Sequence, residues 1–155
     1  MSERTVSHDT FVIERRFDAA PARVFNAWAD LELKSRWFGG GDEWKLEARE
    51  FDFRPGGREL LRGRWQSGMV TEFQSRYDDI VPDSRIVYTY EMRLDGKRIS
   101  ISLATIEIQP EGSGTRMIVT EQGAFLDGYD DAGSRQRGTA SLMDRFAAAL
   151  EAPTG

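Results

Sequence analysis

The sequence predicts an α+β chain in which one curved antiparallel sheet of six or seven strands wraps around a long C-terminal helix. Three observations carry that expectation. The stretch from Ala132 to Ala152 is amphipathic: Leu142, Met143, Phe146 and Leu150 recur at three- and four-residue intervals on one stripe, while Arg137, Asp144, Arg145 and Glu151 fall mostly elsewhere. Between Trp44 and Phe125 most segments alternate with a period of two, as strands with one apolar face do. Turn signals divide those segments, among them Pro55-Gly56-Gly57, Asp95-Gly96 and Gly112 to Gly114. An apolar helical stripe and a row of one-faced strands cover each other, so a functional site belongs in the space between them.

Composition narrows the function. A chain of 155 residues is most simply one domain, and at that length it buries roughly 68 to 70% of its unfolded surface, enough to tolerate an internal cavity. With 26 acidic and 21 basic residues the net charge is -5, which argues against a phosphate-backbone binder and hence against nucleic acid as a partner. The absence of cysteine removes disulfides, thiolate nucleophiles and Cys-type zinc sites. The start, MSERTVSHDT, has no apolar signal core, no run approaches the ~18 apolar residues of a membrane span, and a cytoplasmic protein is expected. No residue pattern calls for a metal or a cofactor.

In chain order, Met1 to Asp9 reads as a flexible arm carrying the only histidine, His8, which an unanchored arm cannot position for catalysis. The domain proper is expected over 10–152. Thr10 to Phe17 sets Phe11, Ile13 and Phe17 against Val12, Glu14 and Arg16, with Arg15 as the exception on the apolar side. Pro21 suits the first turn of a helix over Ala22 to Asp30, with Val24, Phe25, Trp28 and Leu31 as its buried stripe, and a second short helix is expected over Leu31 to Trp37. Strands follow at Trp44 to Arg54, Arg58 to Gln66, Met69 to Ile80, Ser84 to Leu94, Arg98 to Ile108 and Thr115 to Phe125. In the third of these six, Met69, Thr71, Phe73, Ser75 and Tyr77 share a face. Ile86, Tyr88, Tyr90, Met92 and Leu94 share one in the fourth. In the fifth, Ile99, Ile101 and Leu103 point inward and the phase then shifts to Ile106 and Ile108, predicting a β-bulge near Ala104 and Thr105. Asp130, Asp131 and Ser134 offer caps to the terminal helix, Pro153 closes it, and Phe125, Leu126 and Tyr129 anchor the loop before it.

Two places could carry chemistry. Trp37, Phe38 and the glycines Gly39 to Gly41 form either a flap over a cavity mouth or a turn whose rings complete the core. The three glycines lack a Gly-Lys-Ser/Thr ending, so they are no phosphate loop. Glu121 is the second place. If Met117 and Val119 face the helix, the period of two turns Glu121 inward, where a carboxylate must be paired, protonated or bound by a ligand. Arg15 or Arg135 could pair with it; alternatively the strand has left the core by then and the charge is solvated.

Several segments taken together resemble a known family. They are Ala20-Pro21-Ala22-Arg23-Val24-Phe25-Asn26-Ala27-Trp28, Arg36-Trp37-Phe38-Gly39 and Asp52-Phe53-Arg54-Pro55-Gly56-Gly57. To these add Tyr77-Asp78-Asp79-Ile80-Val81-Pro82 with Arg85-Ile86-Val87-Tyr88, and Gly114-Thr115-Arg116 leading to Thr120-Glu121. The pattern is similar to the START-like, or SRPBCC, superfamily, in the branch named after the activator of the ninety-kilodalton heat-shock-protein ATPase. The resemblance implies a helix-grip fold with a deep, mainly apolar cavity between the sheet and the terminal helix; such relatives bind lipids, polyketides or other hydrophobic molecules, and some are cyclases or self-sacrificing resistance proteins. Where many relatives open the helix with Gly-Trp, this chain has Gly138-Thr139, a change that widens the pocket or makes its mouth more polar.

The function expected is binding of a hydrophobic or aromatic small molecule by a monomer or homodimer. Trp37, Phe38, Trp65, Phe73, Tyr77, Tyr88, Tyr90, Gly138, Leu142 and Phe146 would line the site, with Glu121 as its polar group. One alternative is a cyclase- or hydrolase-like enzyme with Glu121 as acid or base, the only catalytic candidate. The other is an interaction module assisting a chaperone, which would need an exposed apolar patch.

Overall fold

The structure is a computed structural model and describes residues 4–39 and 41–151. Pro153, expected as the helix stop, and the first three residues of the expected arm lie outside the described residues. The elements are β1 (Val6–Phe17), α1 (Pro21–Ala29), α2 (Leu31–Lys34), β2 (Trp44–Phe51), β3 (Arg58–Trp65), β4 (Val70–Val81), β5 (Arg85–Leu94), β6 (Lys97–Glu111), β7 (Gly114–Leu126) and α3 (Ala132–Glu151). The seven strands form one antiparallel sheet in the order β1-β7-β6-β5-β4-β3-β2. The α+β architecture, with α3 in the hollow of a curved sheet and two short helices after the first strand, is the one the sequence predicts.

The strand boundaries follow pairing as much as composition. β1 begins at Val6 rather than Thr10, because Val6 to Asp9 pair with Gly123 to Leu126 of β7. His8 therefore sits on an edge strand, exposed to solvent. The Asp95-Gly96 turn has both residues at positive φ, 48° and 82°, the geometry of a type I′ hairpin.

The predicted bulge lies elsewhere. Met92 pairs with Ser100 and Arg93 with Arg98, so the extra residue is Ile99 of β6, not Ala104 or Thr105. A bulge changes which residues face inward from that point on. Ser100, Ser102, Ala104, Ile106 and Ile108 are buried, whereas Ile101 is exposed and Leu103 only half-buried. A second bulge at Asp78 lets both Tyr77 and Ile80 reach the interior.

Two groups of core residues result. The larger gathers Trp28 and Trp37 with Phe146, Ile86, Ile106, Met117 and Val119, where α1 and the C-terminal half of α3 pack on β6, β7 and β1. Trp28 and Trp37 meet edge to face at 4.8 Å, and Trp37 meets Phe146 likewise at 5.0 Å. The smaller group is Leu61, Phe73, Tyr90 and Ala104 on the β3 to β6 side, with Phe38 and Tyr88 at its border. Leu31, expected in the α1 stripe, is 41% exposed and begins α2 instead, and Met69 and Tyr129 are exposed as well. α3 is capped by Asp131, whose Oδ1 accepts from the Ser134 amide at 2.8 Å.

Candidate functional site

Helix α3 leans on β1 and α1 with its C-terminal half. Opposite β3, β4 and β5 its N-terminal half stands off, leaving a cavity of about 400 Å³. The helix contributes Arg135, Thr139 and Leu142 to the wall, and the sheet contributes Phe73, Tyr88, Tyr90 and Met92. Phe38 closes one side, its ring edge-on to Phe73 at 4.9 Å. All four tryptophans of the chain, Trp28, Trp37, Trp44 and Trp65, touch this space.

Two rings reach the wall by lying across a neighbouring strand where that strand is thin. Trp44 of β2 crosses β3 at Gly63, where any Cβ would fall inside its indole, and donates Nε1–H to Thr71 Oγ1 of β4 at 3.1 Å. Tyr90 of β5 crosses β6 where the inward residues are Ser102 and Ala104, and its hydroxyl donates to Glu121 of β7. In both cases the polar atom is tied to the sheet.

Glu121 is inward and 4% exposed, as the period of β7 predicts. Its Oε1 accepts from Tyr90, and its Oε2 accepts from Thr139 Oγ1 of α3 at 3.1 Å. Neither expected arginine bonds it directly. Arg15 bonds Asp144 at 3.3 Å, near the opposite end of α3. Arg135 donates Nη1–H to the Tyr90 hydroxyl at 3.1 Å and Nη2–H to Ser100 Oγ and Asp130 Oδ2, both at 2.8 Å. The charge of Arg135 thus reaches Glu121 through a phenol. Burial raises the pKa of Glu121 above its ordinary value, opposed by the Tyr90 hydrogen bond, the Arg135 charge and Thr139. Burial and the adjacent Glu121 raise that of Tyr90, so it remains a neutral phenol.

Of the residues the sequence nominates, Trp37, Phe38, Trp65, Phe73, Tyr88, Tyr90, Glu121, Gly138 and Leu142 border the cavity. Tyr77 and Phe146 do not. Phe146 is enclosed by Phe17, Trp28 and Trp37 in the larger core. Tyr77 belongs to a buried polar cluster that the sequence does not announce, in which Lys34 Nζ lies 2.6 Å from Glu59 Oε1 and 3.3 Å from the Tyr77 hydroxyl. Tyr77 is enclosed there by the Phe53 and Tyr88 rings. Burial lowers the pKa of Lys34, opposed by Glu59. Trp44 also escapes sequence reasoning, although an inward glycine on the adjacent strand is the signal that could have found it. Trp37 completes the core while one edge meets the cavity, so the turn reading describes it better than the flap.

Among the described residues no cluster of three or more His, Asp or Glu side chains could hold a metal ion. No helix among them is long and apolar enough to cross a membrane.

The sequence profile of the family described as "Activator of Hsp90 ATPase homolog 1-like protein" matches residues 18–151. Among solved structures, an uncharacterised protein from Rhizobium leguminosarum is 44% identical with a TM-score of 0.92, the alignment covering 97% of this chain and 99% of that one. Mll3558 from Rhizobium loti is 43% identical with a TM-score of 0.87, over 94% and 99%. CV1439 from Chromobacterium violaceum is 25% identical with a TM-score of 0.79, over 93% and 98%. No curated protein matches the chain. The fold, the segments shared with that family and the profile match over most of the length agree: the chain belongs to the activator of Hsp90 ATPase homolog 1-like family, within the START-like, or SRPBCC, superfamily.

Proposed function

We propose that the protein binds an apolar, ring-containing small molecule in the cavity between the sheet and α3. The observation that carries this is the cavity itself, about 400 Å³ of space beside an otherwise packed core. Ligand pockets start at about 300 Å³ and combine aromatic walls with a few placed polar groups. Here Phe38, Phe73, Tyr88, Tyr90 and the tryptophans supply the walls, and Glu121 with Arg135 supplies the polar end.

Binding is favoured over acid–base catalysis because both Glu121 oxygens already accept hydroxyl donors from within the fold. A carboxyl so engaged orients a ligand better than it exchanges protons with one. The family description refers to activation of a chaperone ATPase, and nothing in this site calls for that activity.

Because every tryptophan borders the cavity, intrinsic fluorescence reports its occupancy without a label. Titration with naphthalene, anthracene and similar planar hydrocarbons is expected to quench or shift the emission saturably. A broad panel that leaves the emission and the melting temperature unmoved refutes the proposal.

A further inference from the structure

The polar groups at the cavity wall are mostly spoken for. Tyr90 donates to Glu121 and accepts from Arg135, Thr139 donates to Glu121, and Trp44 donates to Thr71. Trp37 donates to the Ala27 carbonyl, and Arg145 donates to the Gly39 carbonyl at 2.5 Å. Trp65, half-exposed at the end of β3, and Ser141, exposed on α3, also border the space without a hydrogen bond to a described residue, and both lie at its outer rim.

Tyr88 is different. It stands mid-sheet on the concave face, in the row Tyr77, Tyr88, Ala104, Glu121 across β4, β5, β6 and β7. Its hydroxyl makes no hydrogen bond to any described residue, yet it is not shut in: among the described residues the one fully enclosed side-chain polar atom without a partner is Ser75 Oγ. Tyr88 borders the cavity and is only half-buried, so its free hydroxyl opens onto that space. An occupant of the cavity can supply the hydrogen-bond partner that this hydroxyl lacks.

We infer that Tyr88 is the specificity-determining contact of this cavity, donating its O–H to a carbonyl oxygen of a neutral planar aromatic ketone or aldehyde. The inference rests on the binding proposal above and names its ligand class. A carboxylate is disfavoured because Glu121 lies in the same row, two strands away, and the nearby Arg135 is already paired with Asp130. Burial and the charge of Glu121 also keep the Tyr88 phenol protonated, so it remains a donor.

The test compares three naphthalenes of one shape, 2-acetonaphthone, 2-isopropylnaphthalene and 2-naphthoate, on the wild type and on Tyr88→Phe. For 2-acetonaphthone the variant is expected to bind about five- to tenfold more weakly, the loss of one hydrogen bond, and to bind the hydrocarbon unchanged. Naphthoate should be the weakest wild-type ligand. In the wild type the infrared carbonyl stretch of bound acetonaphthone should move to lower frequency, and in the variant it should not; the wild-type spectrum needs no folded variant. Equal weakening of ketone and hydrocarbon, or an unshifted carbonyl in the wild type, overturns the inference while leaving the binding proposal in place. Failure of the wild type to bind any naphthalene removes both.

Discussion

At Glu121 the fold holds a carboxyl that water barely reaches. Its pKa is raised above the ordinary 4.5, so the folded chain holds that proton more tightly than the unfolded one. The associated stability is complete below the unfolded value and is lost as pH rises through the folded one. Glu121→Gln imitates the protonated acid, and its stability relative to wild type should therefore increase as pH rises above the ordinary 4.5, read as urea midpoints. Parallel profiles for the two proteins would show that the carboxyl titrates as it does unfolded. The Lys34–Glu59 pair makes a second residue-scale case, with both side chains 5% exposed. Lys34→Met strands a buried carboxylate and should cost about 3–5 kcal/mol, while Lys34→Met with Glu59→Leu should recover most of that loss. A denaturation cycle measures both, and a single variant within about 1 kcal/mol of wild type would place the pair in solvent.

At the scale of elements the cavity depends on thin places in the sheet. Gly63 lets the Trp44 indole lie over β3, and replacing it by alanine puts a methyl where the ring is. The ring must move, giving up its bond to Thr71. Gly63→Ala should destabilise by about 1–3 kcal/mol, as overpacked sites do, and shift tryptophan emission to the red as Trp44 meets water. Unchanged emission and stability would mean the ring does not need that space. β6 shows why strand faces are hard to read from sequence alone. Ile99, Ile101 and Leu103 alternate convincingly and Ile99 is buried as expected, but as the extra residue opposite Met92 it puts Ser100 and Ser102 inward and leaves Ile101 exposed and Leu103 half-buried. Those small residues, with Ala104, are what lets Tyr90 cross to Glu121.

For the molecule as a whole, a space beside a packed core leaves binding energy to be gained by an occupant. A ligand at a hundred times its dissociation constant stabilises the native state by about 2.7 kcal/mol. For a chain of this length that corresponds to a rise of roughly 5–10 °C in melting temperature. Differential scanning calorimetry with a compound that quenches the tryptophans should show a rise that grows with ligand concentration. Quenching without any stabilisation would point to contact at the surface instead of entry.

The sequence by itself determined the helix stripe, the hairpins and the family, and it offered the inward turn of Glu121 as one of two readings. Each depends on local periodicity or on short runs of residues whose turn chemistry is fixed where they stand. Only the tertiary structure decided that Tyr77 and Phe146 belong to closed clusters, that Lys34 meets Glu59, that Arg135 reaches Glu121 through Tyr90, and that no described residue bonds the Tyr88 hydroxyl. Those outcomes depend on which strands adjoin and on one inserted residue in β6. A period of two assigns a side chain to a face, but pairing and packing across the sheet decide whether that face is filled or left open.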